Sequence, residues 1–177
     1  MDELIYRSKK GDEKAFTELI LIIKSDLYRI AKTRLNNDYD INDAIQETII
    51  KSYKHIKKLK ENNKFKSWII KILINECNKV YKRKNNTHKI IEKITNDKSF
   101  SIEDDLIQES NSKIDFEILI NHLNYEEKLI ITLFYNSMYT CNEIAEILNL
   151  NVNTVKSKLF RAKEKIRKNY RGGVIYE

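Results

Sequence analysis

The sequence predicts an all-α protein of two small helical domains joined by an acidic linker, the second domain ending in a helix-turn-helix. Two observations carry this. Among 177 residues there is no proline and there are only three glycines, so interior helix breakers are almost absent. Apolar residues also recur at helical spacing through two long stretches, separated by a polar, acid-rich interval. At 41% hydrophobic and 33% charged residues, the chain can build a packed core and is not of disordered composition.

A short helix is expected from about Glu3 to Lys9. Phe16, Leu19, Ile20, Ile23, Leu27, Ile30 and Ala31 then mark one apolar stripe, predicting an amphipathic helix from about Glu13 to Leu35. NNDYDIND breaks the period, and Asp40 is read as the N-cap of the next helix. That helix turns Ile41, Ala44, Ile45, Thr48, Ile49 and Ile56 inward, and the polar KENNK closes it. A third helix, about Phe65 to Arg83, gathers Phe65, Trp68, Ile69, Ile72, Leu73, Cys77 and Val80 on one face. Long helices with short connections pack as a bundle, here assigned to residues 1–85.

Residues 86–112 lose the period and carry Asp97, Glu103, Asp104, Asp105 and Glu109. They read as a linker with a short helical turn near Ile102 to Ile107, or else as an extra helix of the first domain. Residues 113–177 hold shorter helices, at about Ile114 to Leu123 and Glu126 to Asn136, followed by the segment NEIAEILNLNVNTVKSKLFRAKEKIRK. There, Thr140 and Glu143 make a capping box. Ile144, Ala145, Ile147 and Leu148 supply a buried face, and Ala145 is small where a second helix must cross. Asn149, Leu150 and Asn151 form a turn, with Leu150 a plug between helices and Asn151 the next N-cap. This is a helix-turn-helix.

On its second helix, Val152, Val155, Leu159, Ala162 and Ile166 share the core face, while Asn153, Lys156, Ser157, Phe160, Arg161 and Glu164 point the other way. Two cations, a hydroxyl, an amide and an exposed ring suit a major groove: charges meet phosphates or guanine edges, and an aromatic packs on thymine methyls. Lys158, Lys163, Lys165, Arg167, Lys168 and Arg171 widen the positive field. A formal net charge of +7 favours polyanionic partners. A solubilised bundle helix is the competing interpretation, and the cap, the apolar turn residue and the outward face together favour DNA.

Cys77 and Cys141 are far apart, lie in no CxxC and have no histidine at ligand spacing, which fits reduced thiols in a cytoplasmic protein rather than a disulfide or zinc site. No signal peptide or membrane-length apolar run is seen. His55, His88 and His122 are isolated and receive no role. No cofactor, metal or small-molecule substrate is expected. Asp104 and Asp105 lack a companion carboxylate for a metal-dependent nuclease, so an enzyme is not expected.

EIAEILNLNVNTVKSKLFRAKEKIR resembles the C-terminal helix-turn-helix of bacterial extracytoplasmic-function (ECF) sigma factors of the sigma-70 family, although TVKSKLFRAKEKIR on its own also fits response regulators. Three further stretches narrow the resemblance. DYDINDAIQETIIKSYKHI is similar to the family's segment ending in Asp-x-x-Gln-Glu, FKSWIIKILINECNKVYKRK to its next helix, and GDEKAFTELI to its opening helix. Asn149 stands where the family often has Gly, and Asn tolerates the left-handed conformation required. Asn124 stands where a Pro is frequent.

The resemblance implies a non-catalytic specificity subunit of RNA polymerase. Its first domain would bind the β′ clamp helices of the core enzyme and melt the promoter −10 element. Its second would ride on the β flap and read the −35 element, and an anti-sigma factor, often membrane-anchored, would hold it inactive. Carried over by position, Asp43, Gln46 and Glu47 fall at the polymerase contact, and Ile50 lies off the inward stripe of its helix. Leu59, Lys60, Glu61, Asn62, Asn63 and Lys64 match the loop that holds an extruded −10 base, with Ile72 and Asn75 lining that site, though Ile72 fits equally as core. Lys79, Lys82, Arg83 and Lys84 would grip the separated strands. Asn153, Lys156, Ser157, Phe160 and Arg161 would face the −35 element. Trp68 is assigned to the core, and Tyr81 either stacks on DNA or is simply exposed. The alternative function is a stand-alone helix-turn-helix regulator. That would call for a ligand pocket or phosphoacceptor domain in the first half, and the sequence shows no pattern for either.

Overall fold

A computed structural model describes residues 1–95 and 116–172, and every regular element among them is helical. Helix α1 (Asp2–Lys9) buries Ile5 and is followed by a turn at Gly11, whose φ of +95° is open to glycine and strained for other residues. Asp12 then caps α2 (Glu13–Lys32) by accepting from the Ala15 N–H at 3.0 Å. The whole predicted stripe of α2 is buried, from Phe16 through Ala31. Each such aliphatic side chain contributes roughly 1.5–3 kcal/mol when fully removed from water.

Helix α3 spans Asp38–His55, and its cap is Asn37, not Asp40. The Asn37 side-chain Oδ1 accepts from the N–H groups of Tyr39 at 2.8 Å and Asp40 at 3.3 Å. Capping three residues earlier places Asp38 and Asp40 in the first turn, where the helix dipole favours negative charge. Asp40 is itself buried and pairs with Lys84.

Two 3₁₀ turns, Ile56–Lys58 and Asn62–Lys64, lead into α4 (Phe65–Thr95). This helix continues ten residues beyond Asn85, into the stretch read as linker. The boundary expected near Arg83 follows the end of the stripe at Val80, and no glycine or proline between Asn85 and Thr95 stops the helix there. The expected turn at Ile102 to Ile107 lies outside the described residues.

In the second block, α5 (Phe116–Ile120) is followed by α6 (Tyr125–Ile131), α7 (Cys141–Leu148) and α8 (Val152–Gly172). Asn124 caps α6 in a capping box with Glu127, which accounts for its presence where the family often carries proline. The helix expected over 126–136 is present but widens in its last turn: a π turn, Thr132–Asn136, follows α6 directly, and Tyr135 on it is exposed.

The two blocks pack on one another. Their buried apolar residues form one contiguous cluster, from Ile5 to Ala162. Helix α4 touches α7, and α2 touches the π turn. The Arg34 guanidinium lies between two rings, 3.6 Å from the centroid of Tyr81 on α4 and 4.1 Å from that of Tyr125 on α6. Its Nε is buried without a hydrogen-bond acceptor, so the ring faces supply its electrostatic partners. Burial pushes the Tyr125 hydroxyl up to about 12.

Candidate nucleic-acid interface

The helix-turn-helix is built from local chemistry. Thr140 Oγ1 accepts from the Glu143 N–H at 3.3 Å, and Glu143 Oε2 accepts from the Thr140 N–H at 2.8 Å. The Thr140 N–H and hydroxyl hold the Glu143 carboxyl below the usual range. Asn149 ends α7 at φ 54° and ψ 48°, the left-handed conformation that Asn tolerates best after Gly. The Leu150 N–H returns to the Ala145 carbonyl at 3.0 Å, and Leu150 packs against the core. Asn151 Oδ1 accepts from the Asn153 N–H at 2.8 Å and starts α8.

On α8, Val155, Leu159 and Ala162 are buried, and Asn153, Lys156, Ser157, Phe160 and Arg161 are all exposed, Phe160 to 65%. Ser157 donates to the Thr154 carbonyl at 3.0 Å, which leaves its oxygen able to accept. The broad positive field expected on this helix is narrower in the fold. Lys158 pairs with Glu126, Lys165 Nζ lies 2.6 Å from Glu127, Arg167 lies 2.8 Å from Glu164, and Lys163 sits over the rings of Phe134 and Tyr135. Lys156 and Arg161 have no ion-pair partner among the described residues. With the exposed Lys168 near the end of α8, these two supply the charge left without an ion pair or ring contact among the described residues of the helix, and both of them lie on the predicted reading face.

The first block has two relevant surfaces. On α3, Gln46 and Glu47 are exposed, and Ile50 is 46% exposed as expected for a residue off the inward stripe. Asp43 is half-buried and accepts from Arg83 at 3.2 Å, so a residue expected at the polymerase contact is tied to one expected on DNA. In the loop 59–64, Leu59 is only 7% exposed and anchors the loop in the core; this side chain does not present itself to a base. Lys60 and Asn63 are exposed, Asn62 accepts from Lys9 at 2.6 Å, and Lys64 lies 2.7 Å from Glu146 of α7.

Residues expected to share one site occupy two grooves. Leu59, Lys60 and Lys64 line a cavity of about 230 Å³ with Trp68, Glu146 and Ile147. Ile72, Asn75, Lys79 and Lys82 line another, of about 460 Å³, between α3 and α4. Ile72 is only half-buried and Asn75 is exposed, so Ile72 is not plain core. Tyr81 stacks on Arg34, and Trp68 is half-buried against the core.

Sequence reasoning missed Glu76. It is 6% exposed under the larger groove, and Lys51 and Lys79 both pair with it. Burial pushes its carboxyl up, but the two ammonium groups more than offset this and hold it below the usual range. A charged residue at an inward position among Leu73, Cys77 and Val80 was the available signal. Burial pushes the Cys77 thiol up to about 12, and both cysteines are free. Among the described residues no helix is long and apolar enough to cross a membrane, and no cluster of three His, Cys, Asp or Glu could hold a metal.

An all-helical protein with a helix-turn-helix in one block and a second basic groove in the other is a nucleic-acid-binding protein by fold and surface. Comparison narrows the class. The profile of Sigma-70 region 2 matches residues 19–87, and that of Sigma-70, region 4, matches residues 115–166. The chain is 30% identical to the RNA polymerase sigma factor SigV of Bacillus subtilis over 152 residues, 81% of this chain and 84% of that one. It is 26% identical to the ECF RNA polymerase sigma factor SigW of the same organism, covering 94% of this chain and 95% of the relative. The fold matches that of the sigma factor RpoE of Bartonella quintana in complex with the anti-sigma factor NepR (TM-score 0.70, 20% identity, 92% and 99% covered). It also matches CnrH in complex with the cytosolic domain of CnrY (TM-score 0.69, 16% identity, 97% of both covered). The chain belongs to the extracytoplasmic-function group of the sigma-70 family, and it is a promoter-directing sigma factor. Matches on both blocks disfavour a stand-alone regulator.

Proposed function

We propose that this chain is a non-catalytic, cytoplasmic subunit that joins core RNA polymerase, opens the promoter −10 element with its first block and reads the −35 element with its second. The boundaries proposed are residues 1–85 and 113–177, with α4 carrying the first block into the connecting segment. Asp43, Gln46, Glu47 and Ile50 on α3 meet the β′ clamp helices, and the second block sits on the β flap. Ile72 and Asn75 take the extruded base in the groove between α3 and α4, Lys60, Asn62, Asn63 and Lys64 meet the DNA from the neighbouring loop, and Lys79, Lys82 and Arg83 follow the strand. Leu59 supports the loop from within the core.

The observation that carries this reading is the outer face of α8, where Lys156 and Arg161 lack internal partners while neighbouring cations are engaged inward. Cations held in reserve beside an exposed aromatic are the means by which a groove-reading helix combines phosphate attraction with base contact. An anti-sigma factor is the proposed regulator, and the two sigma factors with similar folds are each in complex with a partner chain. The test is to mix the purified chain with sigma-free core polymerase. Co-elution and discrete new start sites on a genomic promoter pool are expected. No complex with active core, together with sequence-specific DNA binding by the chain alone, would overturn the reading in favour of a stand-alone regulator.

A further inference from the structure

The groove between α3 and α4 holds more than the residues proposed above. Lys51, Lys79 and Lys82 line it with His55, against the single carboxylate of Glu76. That carboxylate is 6% exposed, whereas the side chains of Lys51 and Lys79 are 35% and 65% exposed. Lys51 reaches it from α3, and Lys79 donates to its other oxygen at 2.9 Å from α4. Lys51 also lies 3.6 Å from Glu47. A buried ion pair seldom stabilises a fold more than an apolar contact of the same volume, so joining two helices does not require this arrangement. Fixing two otherwise flexible ammonium groups does, because each long side chain gives up rotamer entropy when it is held in place.

We infer that Glu76 is a positioning residue and Lys51 a further strand contact: the buried carboxylate holds Lys51 and Lys79 on opposite walls of the groove, set to take backbone phosphates of the melted strand on either side of the base at Asn75. This rests on the proposed role of the first block in opening the −10 element. It adds to that role a contact from α3, so that both helices grip the strand. With both ammonium groups anchored, a phosphate meets cations already oriented, and less freedom is lost when it binds.

The experiment uses the full chain assembled with core polymerase, with promoter opening followed by permanganate reactivity at several salt concentrations. Lys51→Met is expected to reduce opening about tenfold at 0.15 M salt and to lower the slope of log K against log salt by about 1. Lys51→Arg keeps the charge and is expected to keep the slope. Glu76→Gln leaves both lysines charged but unanchored; opening falls several-fold with the slope retained, at a temperature where melting curves show the variant folded. An unchanged slope and opening in Lys51→Met overturns the inference, as does loss of polymerase binding, which would place Lys51 on the polymerase face. Opening by folded Glu76→Gln equal to wild type would make the carboxylate merely structural and overturn its positioning role. Failure of the wild-type chain itself to join core and open any promoter would instead refute the sigma-factor reading, a separate and distinguishable result.

Discussion

The ammonium of Lys64 lies 2.7 Å from the carboxylate of Glu146, joining the loop 59–64 to the first helix of the helix-turn-helix. Hydrogen bonding to Glu146 raises the pKa of Lys64, so the cation is fully charged in this arrangement. Unlike Lys51 and Lys79, whose shared partner lies beneath them within the first block, Lys64 has its partner on α7, across the path a strand would take. Ile147 of α7 lines the groove beside it, so Lys64 faces α7, while Lys60 and Asn63 of the same loop stay exposed. Separation of the two blocks is the expected route by which a strand gains Lys64. Glu146→Lys is expected to shift the population toward separated blocks, and Lys64→Glu added to it is expected to restore closure. Energy transfer between dyes on Lys66 and Lys168, with the native cysteines replaced, checks this. Equal transfer in wild type and Glu146→Lys would show that the pair does not hold the blocks together. High salt should act in the same direction as the reversal, because exposed pairs are screened.

The basic residues of α8 divide into two groups that a mutation series can separate. Lys156→Ala and Arg161→Ala remove charge from the outward face and should each reduce transcription from the cognate promoter by about tenfold or more if they contact bases, where one good contact is worth about 1–3 kcal/mol. Co-elution with core polymerase should be unchanged. Lys165→Ala removes the partner of a buried carboxylate and should lower the melting temperature with little change in promoter choice. Run-off transcription and thermal melting on the same three proteins check the division. A promoter effect from Lys165 equal to that from Arg161 would contradict it.

The α2 stripe, the capping box at Thr140, the Asn149 turn and the two faces of α8 were legible in the sequence because each depends on residues within one helix or one turn. Asn37 was missed because Asn and Asp are both good caps, and only the path of the chain selects between Asn37 and Asp40. The engagement of Lys158 and Lys165 was not legible because their partners, Glu126 and Glu127, lie on another helix, and a wheel shows only its own. The same limit hid Glu76: its partner on its own helix, Lys79, is visible at helical spacing, but Lys51 comes from α3. The placement of Asn75 and the loop 59–64 in separate grooves depends on how α7 packs against α4, which no local pattern encodes.

The turn between α7 and α8 offers a direct test of backbone conformation. Asn149 holds φ 54°, where a residue other than Gly, Asn or Asp costs about 1–2 kcal/mol. Asn149→Gly should therefore be close to neutral, and Asn149→Val should destabilise by about that amount. Thr140→Ala removes the cap at the other end of α7 and should cost about 1 kcal/mol. Urea unfolding of the three variants gives the ranking, and an Asn149→Val protein as stable as wild type would show that the turn does not require the left-handed conformation.

Glu127 predicts a specific weakness in acid. Burial pushes its carboxyl up, but Lys165, at 2.6 and 2.8 Å from its two oxygens, and the Asn124 N–H bring it below its ordinary value of 4.5. A carboxyl whose folded pKa is depressed stabilises the fold fully above its unfolded value. That contribution is lost as the pH falls through the folded value, because the unfolded chain then takes up the proton first. Wild type should therefore lose stability progressively below pH 4.5, from Glu127 together with the similarly depressed Glu76 and Glu143. Glu127→Gln should be less stable than wild type at neutral pH by about 1.5–3 kcal/mol, the range for a hydrogen bond to a charged group. Its acid limb should be shallower, since one of the depressed carboxyls, which also include Asp12, has been removed. Unfolding free energies measured from pH 3 to 7 for both proteins test this. Parallel curves, with the variant displaced by a constant amount throughout, would show that Glu127 titrates no differently in the folded and unfolded chain and that its role is confined to capping α6.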